Sequence, residues 1–135
     1  PILDIRRLYH QLADELSLHL QKEETVLFPY VKSLAAAQQD PQTAFYQPPF
    51  GTVNNPIALM RAEHDTAGEI CKEIADLTEQ YQTPEWACNT FKALYAKLQE
   101  FEEDLHIHVH LENNILFPKA ILLAKEVLAI TLHQV

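Results

Sequence analysis

The chain of 135 residues has little glycine and cysteine. It contains only 2 glycines, whereas a globular chain of this length has about nine. Because hairpins and the tight turns of sheets depend on glycine, this scarcity argues against an all-β or a doubly wound α/β fold. The 2 cysteines, Cys71 and Cys88, form no C-x-x-C pair. This pattern indicates a reduced, cytoplasmic protein and neither a disulfide framework nor a zinc ribbon.

Basic residues and long apolar runs are scarce as well. The chain has 10 Lys and Arg against 19 Asp and Glu, which gives a formal net charge of −9. A nucleic-acid interface needs a basic face to neutralise phosphates, and an anionic membrane surface attracts the same kind of face. No run of 18 apolar residues is present, so no membrane-spanning helix is predicted. We therefore expect neither nucleic-acid nor membrane partners.

Proline marks the ends of the segments that remain, and these segments have helical periodicity. Asn55-Pro56 and Thr83-Pro84 each place a capping residue before a proline at a first helical position. Pro41, Pro48 and Pro49 interrupt a long connection over about residues 38–55. The sequence thus predicts an all-α, up-and-down helical bundle. It has three long helices and a short C-terminal helix, at about residues 3–37, 56–80, 84–117 and 118–132.

Each predicted long helix has a titratable residue on its apolar stripe. In the third helix, apolar residues spaced by three and four lead to His108 and Glu112. The same spacing leads to His19 and Glu23 in the first helix and to His64 in the second. Burial of an unpaired carboxylate costs folding free energy on the order of several kcal/mol. Inward-facing Glu23 and Glu112 therefore need a cation between them.

Two of these segments form an internal repeat. His19-x3-Glu23 is followed by Val26-Leu27-Phe28-Pro29, and His108-x3-Glu112 is followed by Ile115-Leu116-Phe117-Pro118. Residues four apart share one face of a helix, so the imidazole and the carboxylate of each pair can bind the same ion. Inward Glu and His residues on facing helices are typical of carboxylate-bridged dinuclear sites in bundles.

These observations predict a metal site in which glutamates bridge two ions and histidines are terminal ligands. The bridging residues are Glu23 and Glu112, and the terminal ligands are His19, His64 and His108. Imidazole and carboxylate without thiolate suit iron, manganese or zinc. The alternative is a metal-free structural module in which the same residues are solvated polar groups on helix surfaces.

Several neighbouring residues have weaker claims. The H-x-H-x-H alternation of His106, His108 and His110 would suit a metal site on a β-strand, but the flanking helical period argues against a strand. We expect His106 and His110 on the outer face. Glu63 and Asp65 flank His64 and could hold its imidazole, although solvent exposure is the simpler expectation.

Gly68 stands one turn after His64 in the predicted second helix, where glycine has a poor helix propensity. Two interpretations account for it. The missing side chain permits a close approach of a neighbouring helix, or it leaves room for a small ligand.

Three motifs resemble the hemerythrin-like domain of the RIC family, whose name stands for repair of iron centres. The motifs are His19-x3-Glu23-Glu24 running into Leu27-Phe28-Pro29, Met60-Arg-Ala-Glu63-His64-Asp65-x2-Gly68, and Cys88-Asn-Thr running on to His108-x3-Glu112-Asn-Asn-Ile-Leu-Phe-Pro118. Together they cover most of the chain from about residue 10 to 120.

The resemblance implies a four-helix bundle with a Glu-bridged di-iron centre, for which zinc or manganese could substitute. It supports the same five residues as ligands by position: His19, Glu23, His64, His108 and Glu112. It also implies repair of iron–sulfur clusters damaged by nitric oxide or oxidants, for example by iron delivery. The partners are then damaged iron–sulfur proteins and the diatomics NO and O2.

The family has a preceding helix with two further histidine ligands, and usually a small N-terminal domain with a cysteine motif. Neither stands before Pro1. We therefore expect residues 1–135 to be one incomplete hemerythrin-like metal-binding domain. Its bundle would be completed by self-association as a homodimer or by the segment at 118–132.

Two further functions are compatible with the same residues. The first is an oxygen or nitric oxide carrier or sensor. The second is catalytic, a di-iron oxidase or nitric oxide reductase, which would need a substrate pocket and a source of electrons. A metal-binding repair protein fits the sequence better than an enzyme.

Overall fold

The computed structural model describes residues 1–40 and 51–133, with side chains described up to residue 129. Five α-helices are present in this part of the chain. They are α1 (Ile2–Lys22), α2 (Phe28–Gln39), α3 (Asn54–Leu77), α4 (Asn89–Leu111) and α5 (Phe117–His133). The described residues include no β-strand. The predicted all-α fold is confirmed.

Two short π-helical turns join four of these helices into two longer rods, so the described chain forms three rods: α1 with α2 is the first, α3 the second, and α4 with α5 the third. The turn Glu23–Leu27 connects α1 to α2, and the turn Glu112–Leu116 connects α4 to α5. The capping residues of both turns keep right-handed helical dihedrals, so the backbone does not leave the helical path. The short C-terminal helix predicted at 118–132 is confirmed as α5, which continues the path of α4 beyond the second turn. It does not take the place of a fourth rod.

The helix boundaries differ from the prediction at two starts. The third rod begins at Asn89 and not near residue 84, because the backbone at Cys88 is extended (φ −74°, ψ 167°) and Ala87 N–H closes a turn onto Pro84 O at 3.0 Å. Helix α3 begins at Asn54, so Asn55 lies inside the helix and does not cap it. The prolines at 41, 48 and 49 lie outside the described residues.

The core consists of two apolar clusters stacked along α3. One cluster joins the N-terminal half of α1 to the C-terminal half of α3 and to α4, and it includes Leu12, Ile74 and Leu98. The other joins α2 and α5 to the N-terminal half of α3, and it includes Leu34 and Phe117. The first and third rods therefore run in the same direction, and α3 runs antiparallel to both.

The boundary between the two clusters holds a group of buried polar side chains. His19, Glu23, His64 and Glu112 are all buried there. Since the apolar clusters close both ends of this layer, the fold places these groups at mid-length of the bundle.

No helix in the described ranges combines the length and the apolar character that crossing a bilayer requires.

Candidate metal centre

The three rods bring all five predicted side chains together. His19 comes from the last turn of α1, His64 from the middle of α3 and His108 from the last turn of α4. Glu23 and Glu112 are the first residues of the two π-helical turns. One nitrogen or oxygen atom of each residue lies within 4.8 Å of the corresponding atoms of the other four.

Four of the five side chains are sealed from solvent. His19, Glu23, His64 and Glu112 are between 1% and 4% exposed. His108 is the exception, with 40% of its side chain exposed. Of the five side chains, His108 is thus the one with substantial solvent exposure, although its Nε2 is buried.

The internal repeat folds into the same local structure twice. In each copy, the N–H of the phenylalanine donates to the carbonyl of the glutamate five residues earlier, Phe28 to Glu23 and Phe117 to Glu112. The proline that follows has no N–H and would strain a regular helix. The wider turn ahead of it accompanies this defect, and such turns are frequent at functional sites. The aliphatic-Leu-Phe-Pro motif therefore widens the helix and does not end it.

The carboxylates of the site have no partner of their own. Both oxygens of Glu23, both oxygens of Glu112 and Nε2 of His108 are buried without a hydrogen bond. Histidine nitrogens lie close by, with His19 Nε2 at 2.8 Å from Glu23 Oε1 and His64 Nε2 at 3.4 Å from Glu112 Oε1, but these contacts lack the direction of a hydrogen bond. Buried carboxylates without partners are strongly unfavourable, and a metal ion between them removes the penalty. The donor set fits a metal ion.

Glu63 fixes the orientation of the His19 ring. His19 Nδ1 donates to Glu63 Oε1 at 2.9 Å, and Lys22 Nζ donates to the other oxygen of Glu63 at 2.6 Å. The remaining nitrogen, Nε2, then faces the centre as a lone-pair donor. The expectation that Glu63 is exposed was wrong, because the side chain is only 26% exposed and holds a ring on another helix. Asp65 is exposed, as expected.

Asn113 plays the same part for His64. His64 Nδ1 donates to Asn113 Oδ1 at 2.9 Å, and the ring stacks on Phe117 with centroids 5.8 Å apart and planes 8° from parallel. The Nε2 atoms of His64 and His19 consequently face each other at 3.2 Å. Two nitrogen lone pairs at this distance repel unless a proton or a metal ion lies between them.

The ionisation of the site reflects the same crowding. Burial lowers the pKa of His19, but the carboxylates of Glu112, Glu23 and Glu63 outweigh burial and raise it to about 10. Burial raises the pKa of Glu23, and the neighbouring Glu112 raises it further. Burial acts in the same direction on Glu112, but His19 and His64 outweigh it and lower the pKa of Glu112. Without metal, a protonated His19 balances the carboxylate charge.

Other histidines of the sequence lie away from the centre. His10, His106 and His110 are exposed. His110 accepts a hydrogen bond from Asn114 Nδ2 at 2.8 Å, so it has a partner outside the site. The expected outer position of His106 and His110 agrees with the structure. His133 lies beyond the residues whose side chains are described.

Gly68 does not serve close helix packing. A Cβ atom built there would meet no heavy atom within 4 Å, so this interpretation of the glycine was wrong. Gly68 instead lines a cavity of about 300 Å³ between α3 and α4, which also reaches His64, His110 and Asn113. Room for a small ligand beside the site stays a prediction.

Sequence reasoning missed Asn113 and Lys22 and underrated Glu63. Asn113 follows Glu112 directly, but the equivalent position of the first repeat is Glu24, which is exposed. The repeat therefore contained no signal for Asn113. The position of Glu63 beside His64 did indicate a role in holding an imidazole. That imidazole, however, belongs to His19 on another helix and not to His64.

Comparison with known proteins agrees with this geometry. The profile of the hemerythrin HHE cation binding domain matches residues 2–120. The chain belongs to this family. Relatives of this hemerythrin domain include the "Iron-sulfur cluster repair protein YtfE" of Yersinia pseudotuberculosis serotype IB (strain PB1/+) and that of Yersinia pestis (strain Pestoides F), each 39% identical over 110 residues. The match spans 82% of this chain and 43% of each relative. The resemblance to the RIC family is confirmed.

Proposed function

We propose that this hemerythrin domain holds iron with His19, Glu23, His64, His108 and Glu112. The observation that carries the proposal is the pair of buried carboxylates whose four oxygens have no hydrogen bond. Family membership and the nitrogen and oxygen donors favour iron, and zinc or manganese could occupy the same donors. Iron would supply one-electron redox chemistry and open ligand positions at this centre.

We propose further that the centre is a di-iron site bridged by Glu23 and Glu112. The two glutamates support this because they enter from different rods and each has two free oxygens. The protein residues act by position: Glu63 and Asn113 fix the rings of His19 and His64, and the two apolar clusters exclude water from both ends.

The physiological role proposed for the chain is the repair of iron–sulfur clusters damaged by nitric oxide or oxidants, by delivery of iron in the cytoplasm. The relatives named as iron–sulfur cluster repair proteins support this role. The partners would be damaged iron–sulfur proteins, and residues 1–135 would act as one metal-binding domain within that function.

Reactivation of a damaged cluster enzyme tests the repair role. A dehydratase whose iron–sulfur cluster has been damaged with nitric oxide is incubated anaerobically with the iron-loaded chain, and its recovered activity is measured. We expect faster recovery than with the same concentration of free ferrous iron. The Glu112→Ala variant should give no gain over free iron, and equal recovery with both proteins would contradict the proposal.

A second candidate function is the binding or sensing of NO or O2. The observation that favours it is the cavity beside Gly68, which is large enough for a diatomic ligand and ends at His64. Reversible changes in the absorption spectrum on addition and removal of O2 would support a carrier, whereas turnover of NO with an electron donor would support an enzyme.

Self-association of the chain is also proposed. An apolar groove of about 590 Å³ lies between the N-terminal half of α1 and the first half of α4, where Ile2, Tyr9, Leu94 and Phe101 face each other. Exposed apolar surface of this kind marks a site where another protein surface binds, here a second copy of the chain. Sedimentation analysis tests the homodimer, and a monomer that binds two irons at full occupancy would refute it.

A further inference from the structure

The two buried rings of the centre have outer partners of different charge. His19 Nδ1 donates to a carboxylate oxygen of Glu63 at 2.9 Å, and His64 Nδ1 donates to the amide oxygen of Asn113 at the same distance of 2.9 Å. A glutamate side chain is ionised at neutral pH, whereas an amide is neutral. Since the two hydrogen bonds have equal lengths, the charge of the acceptor distinguishes the two supports.

A carboxylate acts on a metal-bound imidazole more strongly than an amide does. It attracts the proton on Nδ1 and thereby makes Nε2 a more basic ligand. A more basic ligand stabilises the iron ion of higher charge, and hydrogen bonds to the ligands are one of the features by which proteins set the potential of iron centres. His19, with Glu63 behind it, is therefore the ring that favours ferric iron most.

Lys22 acts against this effect of Glu63. Its Nζ donates to the second carboxylate oxygen of Glu63 at 2.6 Å, so the ammonium group balances part of the negative charge that reaches His19. Lys22 and His19 both belong to α1, and Glu63 reaches them from α3.

The pair of Lys22 and Glu63 contributes little as a structural contact. The side chain of Lys22 is 42% exposed and that of Glu63 is 26% exposed. Ion pairs with this degree of exposure add little to folding stability. The larger consequence of the pair is its effect on the ring that Glu63 holds.

We propose that Lys22 controls the oxidation state of the bound iron by limiting the negative charge that Glu63 presents to His19. The proposal rests on the proposed iron site and makes Lys22 a positioning residue, which acts through two other side chains. With the ion pair formed, the centre favours ferrous iron. A ferrous ion carries one charge fewer than a ferric ion and is attracted less strongly to Glu23 and Glu112. The pair therefore favours the form of iron that a delivering centre can release.

Potentiometric titration of the iron-loaded chain tests this control. The midpoint potential between ferric and ferrous iron is read from the absorption spectrum in the presence of redox mediators. We expect Glu63→Gln to raise the midpoint of the first one-electron step, because ferric iron loses about tenfold in relative affinity, which equals about 59 mV. Lys22→Met should shift the midpoint in the opposite direction and by a smaller amount.

Two single variants provide the controls. Lys22→Arg keeps the positive charge and should have the potential of the wild type. Arg61→Met also removes one positive charge, but the guanidinium of Arg61 donates to the neutral backbone carbonyl of Asn113, at 3.4 Å. Its removal should therefore shift the midpoint less than Lys22→Met does. Equal shifts in Arg61→Met and Lys22→Met would show a general effect of charge and overturn the proposal.

The double variant with Lys22→Met and Glu63→Gln shows whether Lys22 acts through Glu63. Without the carboxylate, the loss of Lys22 should have almost no effect on the potential. An unchanged midpoint in Lys22→Met, or the same shift with and without the carboxylate of Glu63, would contradict the proposal. If Glu63→Gln does not hold iron, the comparison of Lys22→Met with Lys22→Arg and Arg61→Met decides. A wild-type chain that binds no iron would instead contradict the proposed function, so the two failures are distinguishable.

Discussion

Asn113 does not bind the proposed metal but holds the ring of His64, which does. Substitution of Asn113 therefore tests the orientation of a ligand separately from metal binding itself. Replacing it with alanine removes the acceptor for His64 Nδ1. We predict that Asn113→Ala lowers iron affinity by about 10–100-fold, the usual effect of losing an outer partner of a metal-bound histidine. Anaerobic iron titration against a competing chelator measures the change.

Two variants make this measurement specific. Asn113→Asp keeps an acceptor oxygen and should retain most of the affinity. Asn114→Ala removes a neighbouring amide whose hydrogen bond goes to exposed His110, so its affinity should equal that of the wild type. Equal losses in Asn113→Ala and Asn114→Ala would show that the effect is not orientation of His64.

The two cysteines should differ in reactivity. Burial, with a further contribution from Glu102, raises the pKa of the Cys71 thiol to about 11, whereas Cys88 is exposed. Because the thiolate is the reactive form, we predict that a maleimide at neutral pH labels one thiol per folded chain. Mass spectrometry should find the label on Cys88, and Cys88→Ala should take up none. Labelling of Cys71 in the native protein would contradict its place in the core.

At the residue scale, the sequence predicted the five side chains that cluster but not the residues that hold them. His19, Glu23, His64, His108 and Glu112 could be found because each interrupts an apolar stripe, and burial of such groups demands a reason. Glu63 and Asn113 leave no comparable trace, since a half-buried polar residue beside a ligand is common on any helix. Their partners depend on how the rods are rotated, which spacing along one helix does not encode.

At the scale of helices, the prediction was accurate for type and less so for ends. Apolar periodicity predicted three long helical segments, and the structure contains three rods. It could not predict the π-helical turns at Glu23–Leu27 and Glu112–Leu116, because one extra residue per turn barely alters a spacing of three and four. The predicted start of the C-terminal helix at 118 lies one residue from its start at Phe117, and the wider turn ahead of it accommodates Pro118.

The exit from α3 has strained backbone dihedrals. Glu79, Gln80 and Tyr81 all have positive φ, with 61° at Gln80. A left-handed conformation costs a non-glycine residue roughly 1–2 kcal/mol, while glycine adds entropy to the unfolded chain. We predict that Gln80→Gly raises the free energy of unfolding by about 0.5 kcal/mol or more.

Chemical denaturation measures this change, and Gln82→Gly serves as the control. Residue 82 is not among the residues with positive φ, so glycine there should lower stability slightly. A loss of stability in Gln80→Gly as large as that in Gln82→Gly would be inconsistent with strain at the end of α3.

At the scale of the whole molecule, a polar centre separates two apolar clusters, and stability and metal binding should oppose each other there. Without metal, Glu23 is a buried carboxyl group next to Glu112. Burial and Glu112 raise the pKa of Glu23, so the ionised carboxylate costs the folded state stability at neutral pH, by about 1.4 kcal/mol for each unit by which its pKa is raised. We therefore predict that Glu23→Gln raises the stability of the metal-free chain at neutral pH by about 1 kcal/mol or more.

The same variant should be the less stable protein in iron. A ligand present at 100 times its Kd stabilises the folded state by about 2.7 kcal/mol, and Glu23→Gln forfeits much of that gain. Unfolding curves should therefore show the variant as the more stable protein in a chelator and the wild type as the more stable protein in anaerobic ferrous iron. A variant that is destabilised equally in both conditions would show that Glu23 is merely a packing residue.

The central claim is that the five clustered side chains bind iron, and anaerobic iron titration followed by absorption spectroscopy and metal analysis tests it most directly. The account predicts saturable binding that approaches two irons per chain. Binding should be lost in Glu23→Ala and in Glu112→Ala and unchanged in His110→Ala, an exposed histidine two residues from Glu112. Glutamate variants that bind iron like the wild type, or a wild-type chain that binds none, would contradict it.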